Sequence, residues 1–262
     1  MHLFLVNDDG IGSKGIMALA CAAVARGYRV TLCAPATQQS AASQRITLAA
    51  PIFVAPYPVE YPLMRAYAIT GSPADCVRLG LQDLVEAPVD VLISGINNGY
   101  NYGMAVHYSG TVGAAREGAL YGLHAIAASI HEKASPELIQ RFADYVMDVA
   151  GLFLLTPLPA TLLLSINAPN SPSGRWKKPV MAPLCTANFT DRYIRRESPR
   201  AGTYYWLDSG ARTQPPVPGS DQDMLRKGHI TLTCMGNPSD QRVGFNCLDG
   251  FDAACQNLGE WL

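Results

Sequence analysis

The chain has 262 residues, 48% of them hydrophobic, and a formal net charge of −1 at pH 7. That is core enough for one large α/β domain or two small ones. It excludes a non-specific grip on a nucleic-acid polymer, which needs many phosphate-neutralising cations.

No apolar run is long enough to span a bilayer. The N-terminus has no basic leader and reaches Asp8 too soon for a secretory signal. A cytosolic protein with no membrane partner is the expectation. Cys21, Cys33, Cys76, Cys185, Cys234, Cys247 and Cys255 stand singly, with no CxxC. That pattern argues against a disulfide framework or a zinc site. Cys21 and Cys33 read as small core residues.

Residues 3–6 form a short apolar run that meets Asn7, Asp8, Asp9 and Gly10 at once. Such a run, bounded by a turn, reads as a buried strand of a parallel sheet. Asp8 and Asp9 then lie at its carboxyl end, where open α/β sheets place ligands. Adjacent carboxylates repel, and a cation relieves them. A rival reading uses Gly10, Gly12 and Gly15, which match the dinucleotide-binding G-x-G-x-x-G. That reading makes the chain a nucleotide-binding regulator or a dinucleotide-dependent oxidoreductase. It lacks the acidic residue expected after the second strand, which ends in Ala34 and Pro35.

Ser13 is placed to cap a helix from Lys14 to about Arg26, stopped by Gly27. Residues 29–33 read as the second strand, followed by a polar loop carrying Ser40. Prolines 51, 56, 58 and 62 restrict residues 46–67 to edge strands and a hairpin, with a further strand over 67–70. Ser72, Pro73 and Asp75 open a helix reaching about Val85. Residues 89–94 form the third strong strand. It runs into a stretch rich in glycine and asparagine that contains Asn97 and Asn101. Ser109, Gly110 and Thr111 then open an alanine-rich helix to about Leu123, and small residues before a helix start suit an anion.

Residues 124–130 and 161–167 read as buried strands around a helix from Pro136 to about Leu154. The mixed charges between Arg192 and Arg200 read as a solvated loop or hairpin. Beyond Pro169, runs at 180–184, 203–207 and 229–233 read as β-hairpins. Tyr204, Tyr205 and Trp206 either contact another subunit or fill a core of their own. The fold class is α/β: a Rossmann-like three-layer α/β/α with a mostly parallel sheet. A β-rich C-terminal elaboration with hairpins completes it. We expect one domain over 1–262, with a core over 1–168 and an extension over 169–262.

Asp8, Asp9, Ser40 and Asn97 each follow a candidate strand and offer hard oxygen donors, which suit magnesium or manganese. Beside an anion-binding helix start, such an ion points to phosphate-ester chemistry. His107 is a candidate proton donor or a solvated loop residue. His124 and Asp75 read as structural. Lys14 and Arg45 are candidates for touching a phosphate or for surface roles.

The chain resembles the SurE family of metal-dependent nucleoside monophosphate phosphatases. The matching residues are Asn7-Asp8-Asp9-Gly10, Ser40-Ala41-Ala42-Ser43, Gly71-Ser72-Pro73-Ala74-Asp75, Ser94-Gly95-Ile96-Asn97 and Tyr108-Ser109-Gly110-Thr111. The resemblance implies a 5′-nucleotidase that also accepts 3′-monophosphates or polyphosphate. It implies one Mg2+ or Mn2+ per subunit on Asp8, Asp9, Ser40 and Asn97, and phosphate on Asn101, Ser109, Gly110 and Thr111. Asp8 and Asp9 would be catalytic, Asp9 helping to activate water. A homodimer or homotetramer with exchanged C-terminal segments is also implied. Ala41 and Gln44 depart from the family's usual glycine and asparagine, and Thr233-Cys234-Met235 departs from its Thr-Pro-Leu.

Overall fold

The computed structural model describes residues 1–155, 161–187, 191–208, 215–236 and 249–258; Cys247 lies outside them. The first strand, β1 (His2–Val6), is buried at every position, as a strand with helices over both faces must be. It pairs in parallel with β2 (Arg29–Pro35) on one side and β5 (Val91–Asn98) on the other. Beyond β2 lie β4 (Met64–Ile69), parallel, and β3 (Val54–Pro56), antiparallel. Beyond β5 lie β6 (His124–Ile130) and β7 (Leu162–Ala168), both parallel.

Helices α1 (Lys14–Ala25) and α4 (Pro136–Leu155) cover one face of the sheet. Helices α2 (Pro73–Leu79) and α3 (Gly110–Leu120) cover the other. This is the three-layer arrangement expected. Because α1 follows β1 and α3 follows β5 on opposite faces, a crevice opens between the carboxyl ends of β1 and β5.

Several local readings need correction. Ser13 stands at the N-cap of α1 but its side chain does not cap; its hydroxyl accepts from Asn7 Nδ2 at 2.7 Å instead. The helix opened by Pro73 reaches Leu84 as expected, but its last turn, Gly80–Leu84, is π-helical rather than α-helical. β4 starts earlier than expected and lies inside the sheet, so only the three-residue β3 is left at the proline-rich edge. Cys33 is buried, whereas Cys21 is half-buried.

The C-terminal region divides in a way the hairpin reading did not anticipate. β11 (His229–Gly236) pairs antiparallel with β7, and β8 (Lys177–Met181) pairs parallel with β11. Both therefore join the main sheet, because Ile230, Thr231, Leu232 and Thr233 are buried and need cover on both faces. Among the described residues only β9 (Arg192–Ser198) and β10 (Gly202–Asp208) form a separate hairpin. Tyr204, Tyr205 and Trp206 on it are exposed, so they fill no core of their own. Two short helices, α5 (Asp221–Arg226) and α6 (Asp249–Asn257), were not anticipated. Among the described residues no helix is long and apolar enough to cross a membrane.

Two glycines show how tightly α1 is seated. A Cβ on Gly15 would lie 2.0 Å from the Ile96 carbonyl oxygen, whereas one on Gly151 in α4 would meet nothing within 4 Å. Gly15→Ala is expected to lower stability by about 1–3 kcal/mol through overpacking. Gly151→Ala is expected to raise it by about 0.5–1 kcal/mol through helix propensity. Urea unfolding of the two variants measures both signs.

Candidate active site

The turn after β1 is pinned by Asn7, which sequence reasoning treated only as part of a motif. Its Nδ2 donates to the Gly10 carbonyl at 2.9 Å, and its Oδ1 accepts from the Gly10 N–H at 3.2 Å. Gly10 has φ +98°, a backbone that side chains rarely adopt. The chain thus turns back sharply, and Asp8 and Asp9 face the crevice from different heights.

Asp8 is almost fully buried. Its Oδ1 accepts from the Thr111 hydroxyl at 2.5 Å. A Cβ on Gly110 would lie 2.9 Å from Asp8 Oδ2, so only a glycine lets the carboxylate sit against the start of α3. Burial pushes the Asp8 carboxyl up, the Thr111 hydroxyl pulls it back, and the Asp9 charge pushes it up again, leaving it at about 6. Asp9 lies higher and is half-buried. Its Oδ2 accepts from the Asn98 N–H at 3.0 Å, and its Oδ1 lies 3.5 Å from Gln38 Nε2.

Gln38 also donates to Ser40 Oγ at 3.0 Å. Its amide nitrogen therefore sits between oxygens of Asp9 and Ser40. Asn97 donates its Nδ2 to the Gly99 carbonyl at 2.8 Å, which leaves its Oδ1 as the atom available to a cation. The structure thus brings Asp8, Asp9, Ser40 and Asn97 to one rim, on the ends of β1, β2 and β5. Among the described residues no group of three or more His, Cys, Asp or Glu could hold a metal. The oxygens here are two carboxylates, a hydroxyl and an amide, a set suited to a hard divalent ion.

The loop carrying Ser40 is clamped onto α3. The Ser43 N–H donates to the Tyr108 carbonyl at 3.0 Å, and the Ser43 hydroxyl donates to the His107 carbonyl at 2.8 Å. A Cβ on Gly113 would lie 2.1 Å from the Ser43 carbonyl oxygen. Gln44 Nε2 donates to Glu117 Oε2 at 2.7 Å, and Glu117 Oε1 takes Arg78 at 2.9 Å. Gln44, one of the departures from the family pattern, is therefore an anchor. Ala41, the other departure in this loop, holds φ +57°.

Asp75 ties the far end of the same loop. It accepts from the Thr47 hydroxyl at 2.6 Å and from the N–H groups of Thr47 and Ser72, while the Ser72 hydroxyl donates to the Arg45 carbonyl. Ser72 caps α2 as the sequence suggested, and Asp75 reciprocates to complete a capping box.

On the phosphate side, Ser109 is the N-cap of α3, its Oγ accepting from the Val112 N–H at 3.1 Å. The hydroxyl of Thr111 is committed to Asp8, so it is the backbone of this turn that faces an anion. Asn101 is buried and locked to Asn167. Its N–H donates to Asn167 Oδ1 at 2.9 Å, and Asn167 Nδ2 donates to its carbonyl at 3.0 Å. Asn101 Nδ2 donates to Ser129 at 2.9 Å.

Asp221 was missed as a support: it accepts from the N–H groups of Gly103 and Cys185, both at 2.8 Å. It thereby joins the asparagine-rich loop to the C-terminal region. His107 is exposed and contributes its carbonyl. His124 is structural, stacked on Phe153 and accepting from the Leu162 N–H. Arg45 donates to Gln39 at 3.0 Å, and Lys14 lines a cleft beside Asp9.

Fold and site together define a doubly wound α/β protein whose switch-point crevice joins an acidic pair to the N-terminus of a helix. Residues 3–191 match the family model for Survival protein SurE. A relative from Solidesulfovibrio magneticus, named 5′-nucleotidase SurE, is 39% identical over 234 residues, covering 89% of this chain and 90% of its own. One of the same name from Maridesulfovibrio salexigens is 36% identical over 233 residues, covering 89% and 92%. The crystal structure of the SurE protein from Aquifex aeolicus matches with a TM-score of 0.76 at 27% identity, covering 92% of this chain and 95% of that one. The chain belongs to the SurE family.

The Asp75 anchor gives a pH test. Burial pushes its carboxyl up, but the Thr47 and Ser72 donors outweigh this and hold it below its ordinary value of 3.8. A depressed pKa means stability that is present above the unfolded value and lost as pH falls through the folded one. Asp75→Asn is expected to cost about 1–3 kcal/mol at pH 7, and the difference from wild type should shrink below about pH 4. Chemical denaturation across that range checks it.

Proposed function

We propose that this chain is a divalent-metal-dependent phosphomonoesterase that hydrolyses nucleoside 5′-monophosphates to nucleoside and phosphate. The observation that carries the reading is the Asp8–Thr111 hydrogen bond. It sets a buried carboxylate against the helix start that would receive a phosphate. Two anions in contact need a cation between them. The names carried by the relatives above supply the substrate class.

The residues fit such an ion. Asp8 and Asp9 bring two negative charges, Ser40 a hydroxyl oxygen and Asn97 an amide oxygen, in a crevice open to solvent at Ser40. When bound, Mg2+ or Mn2+ supplies Lewis acidity toward the phosphoryl oxygens and the attacking water. The chain's own residues do the rest. The first N–H groups of α3 and the Ser109 hydroxyl hold the phosphate oxygens, favoured by the helix dipole. Asn101, fixed from behind by Asn167 and Ser129, adds a polar contact. Asp9, oriented by the Asn98 N–H, holds the attacking water and draws its proton. A new P–O bond forms to the water oxygen as the ester P–O bond breaks, and the proton ends on the departing nucleoside oxygen.

Two of the glycines at 10, 12 and 15 have other work: Gly10 makes the turn and Gly15 seats α1 on β5. The exposed aromatics of the β9–β10 hairpin support a homo-oligomer in which this hairpin lies against a second copy.

Phosphate release from nucleoside monophosphates is expected to need added Mg2+ or Mn2+ and to stop with a chelator. Asp8→Asn should lower kcat at least about a hundredfold; undiminished turnover in a folded Asp8→Asn variant contradicts the assignment. For the assembly, Trp206→Ala combined with Tyr205→Ser should reduce the solution mass measured by light scattering.

A further inference from the structure

On the α1 and α4 side of the crevice lies a cleft of about 400 Å3, within the range of small-molecule sites. It shares Asp9 and Asn98 with the acidic rim. Its lining is mixed: Ser13 and Gln38 add polar groups, and the apolar part is Ile96 from β5, Ile130 from the end of β6 and Ile139 from the first turn of α4, with Ala134 in the turn between. Lys14 and Glu132, both exposed, bring opposite charges to the same lining.

The direction of an ester bound in the crevice follows from what is already filled. With its phosphate at the start of α3, the alcohol cannot leave on the α3 side. There the Ser43 carbonyl presses on Gly113 so closely that a Cβ would lie 2.1 Å from it, and Gln44 is bound to Glu117. The opposite side, past Asp9, is where the open cleft begins.

We propose that this cleft receives the nucleoside of the substrate, and that Ile139 and Ala134 set the size of base it admits. The inference rests on the nucleotidase reading given above. Branched aliphatic walls suit the two faces of a planar base, and its edge presents N–H donors and lone pairs of the kind Glu132 and Lys14 complement. The ribose then lies between the base and the polar edge at Asp9 and Asn98.

The test uses the metal-loaded protein with two esters, a nucleoside monophosphate and glycerol phosphate, whose alcohol is too small to reach the isoleucines. Ala134→Trp fills the cleft, and Ile139→Ala enlarges it with little risk to folding. For the nucleotide, KM is expected to rise roughly tenfold or more in Ala134→Trp and several-fold in Ile139→Ala. For glycerol phosphate, kcat/KM should stay within about twofold of wild type in both. A nucleotide KM unchanged in both variants overturns the cleft assignment while leaving the hydrolase reading intact. So does an equal loss on the two esters in folded Ile139→Ala. Binding of the unphosphorylated nucleoside, followed by calorimetry, separates the two readings from the other side. Binding to wild type that Ala134→Trp abolishes supports the cleft even if no ester is hydrolysed; binding that Ala134→Trp leaves unaltered overturns it.

Discussion

The structure depends on one contact, the hydrogen bond from the Thr111 hydroxyl to the Asp8 carboxylate. It joins the end of β1 to the start of α3 across the switch point of the sheet, and both partners are buried. Alone it does not satisfy the carboxylate. Burial and the neighbouring Asp9 hold Asp8 at about 6, so keeping it ionised at neutral pH costs on the order of 3 kcal/mol without a counter-charge. On the reading proposed above, a divalent cation would offset that cost, and the helix start beside it would receive the phosphate.

Around this contact the chain invests in rigidity. Asn7 ties its own turn, and Asn167 holds Asn101 by paired hydrogen bonds. Glu117 and Asp75 hold the two ends of the loop that carries Ser40. Oxygens contributed by different strands meet a small ion only if their loops are fixed to fractions of an ångström. Most of these supports are buried and fully bonded, the condition under which polar networks specify one geometry rather than several. The supports reach across the fold: Asp221, from beyond β10, steadies the loop that begins at Gly103.

Much of the fold was legible because its central strands are short apolar runs bounded by polar or turn-forming residues. β1, β2, β5, β6 and β7 and the helices between them follow from that pattern. The candidate site was legible for the same reason, since parallel strands bring their carboxyl ends to one edge. What could not be read is where a residue's partner is distant in sequence. Val180 and Thr231 look like hairpin strands locally, yet they pair with each other across some fifty residues and extend the main sheet. Gln38 and Glu117 carry no motif, and their roles appear only once the loops meet. Ser13 looked like a cap, but Asn7 competes for its hydroxyl.

The central claim is that oxygens from three strand ends clasp one divalent ion beside the α3 anion cradle. Anomalous diffraction from a crystal soaked in Mn2+ tests it most directly. The account predicts a single peak with carboxylate oxygens of Asp8 and Asp9 at about 2.1–2.2 Å, and with Ser40 Oγ and Asn97 Oδ1 facing it directly or through water. A peak that lies elsewhere, or one that engages neither aspartate, contradicts it.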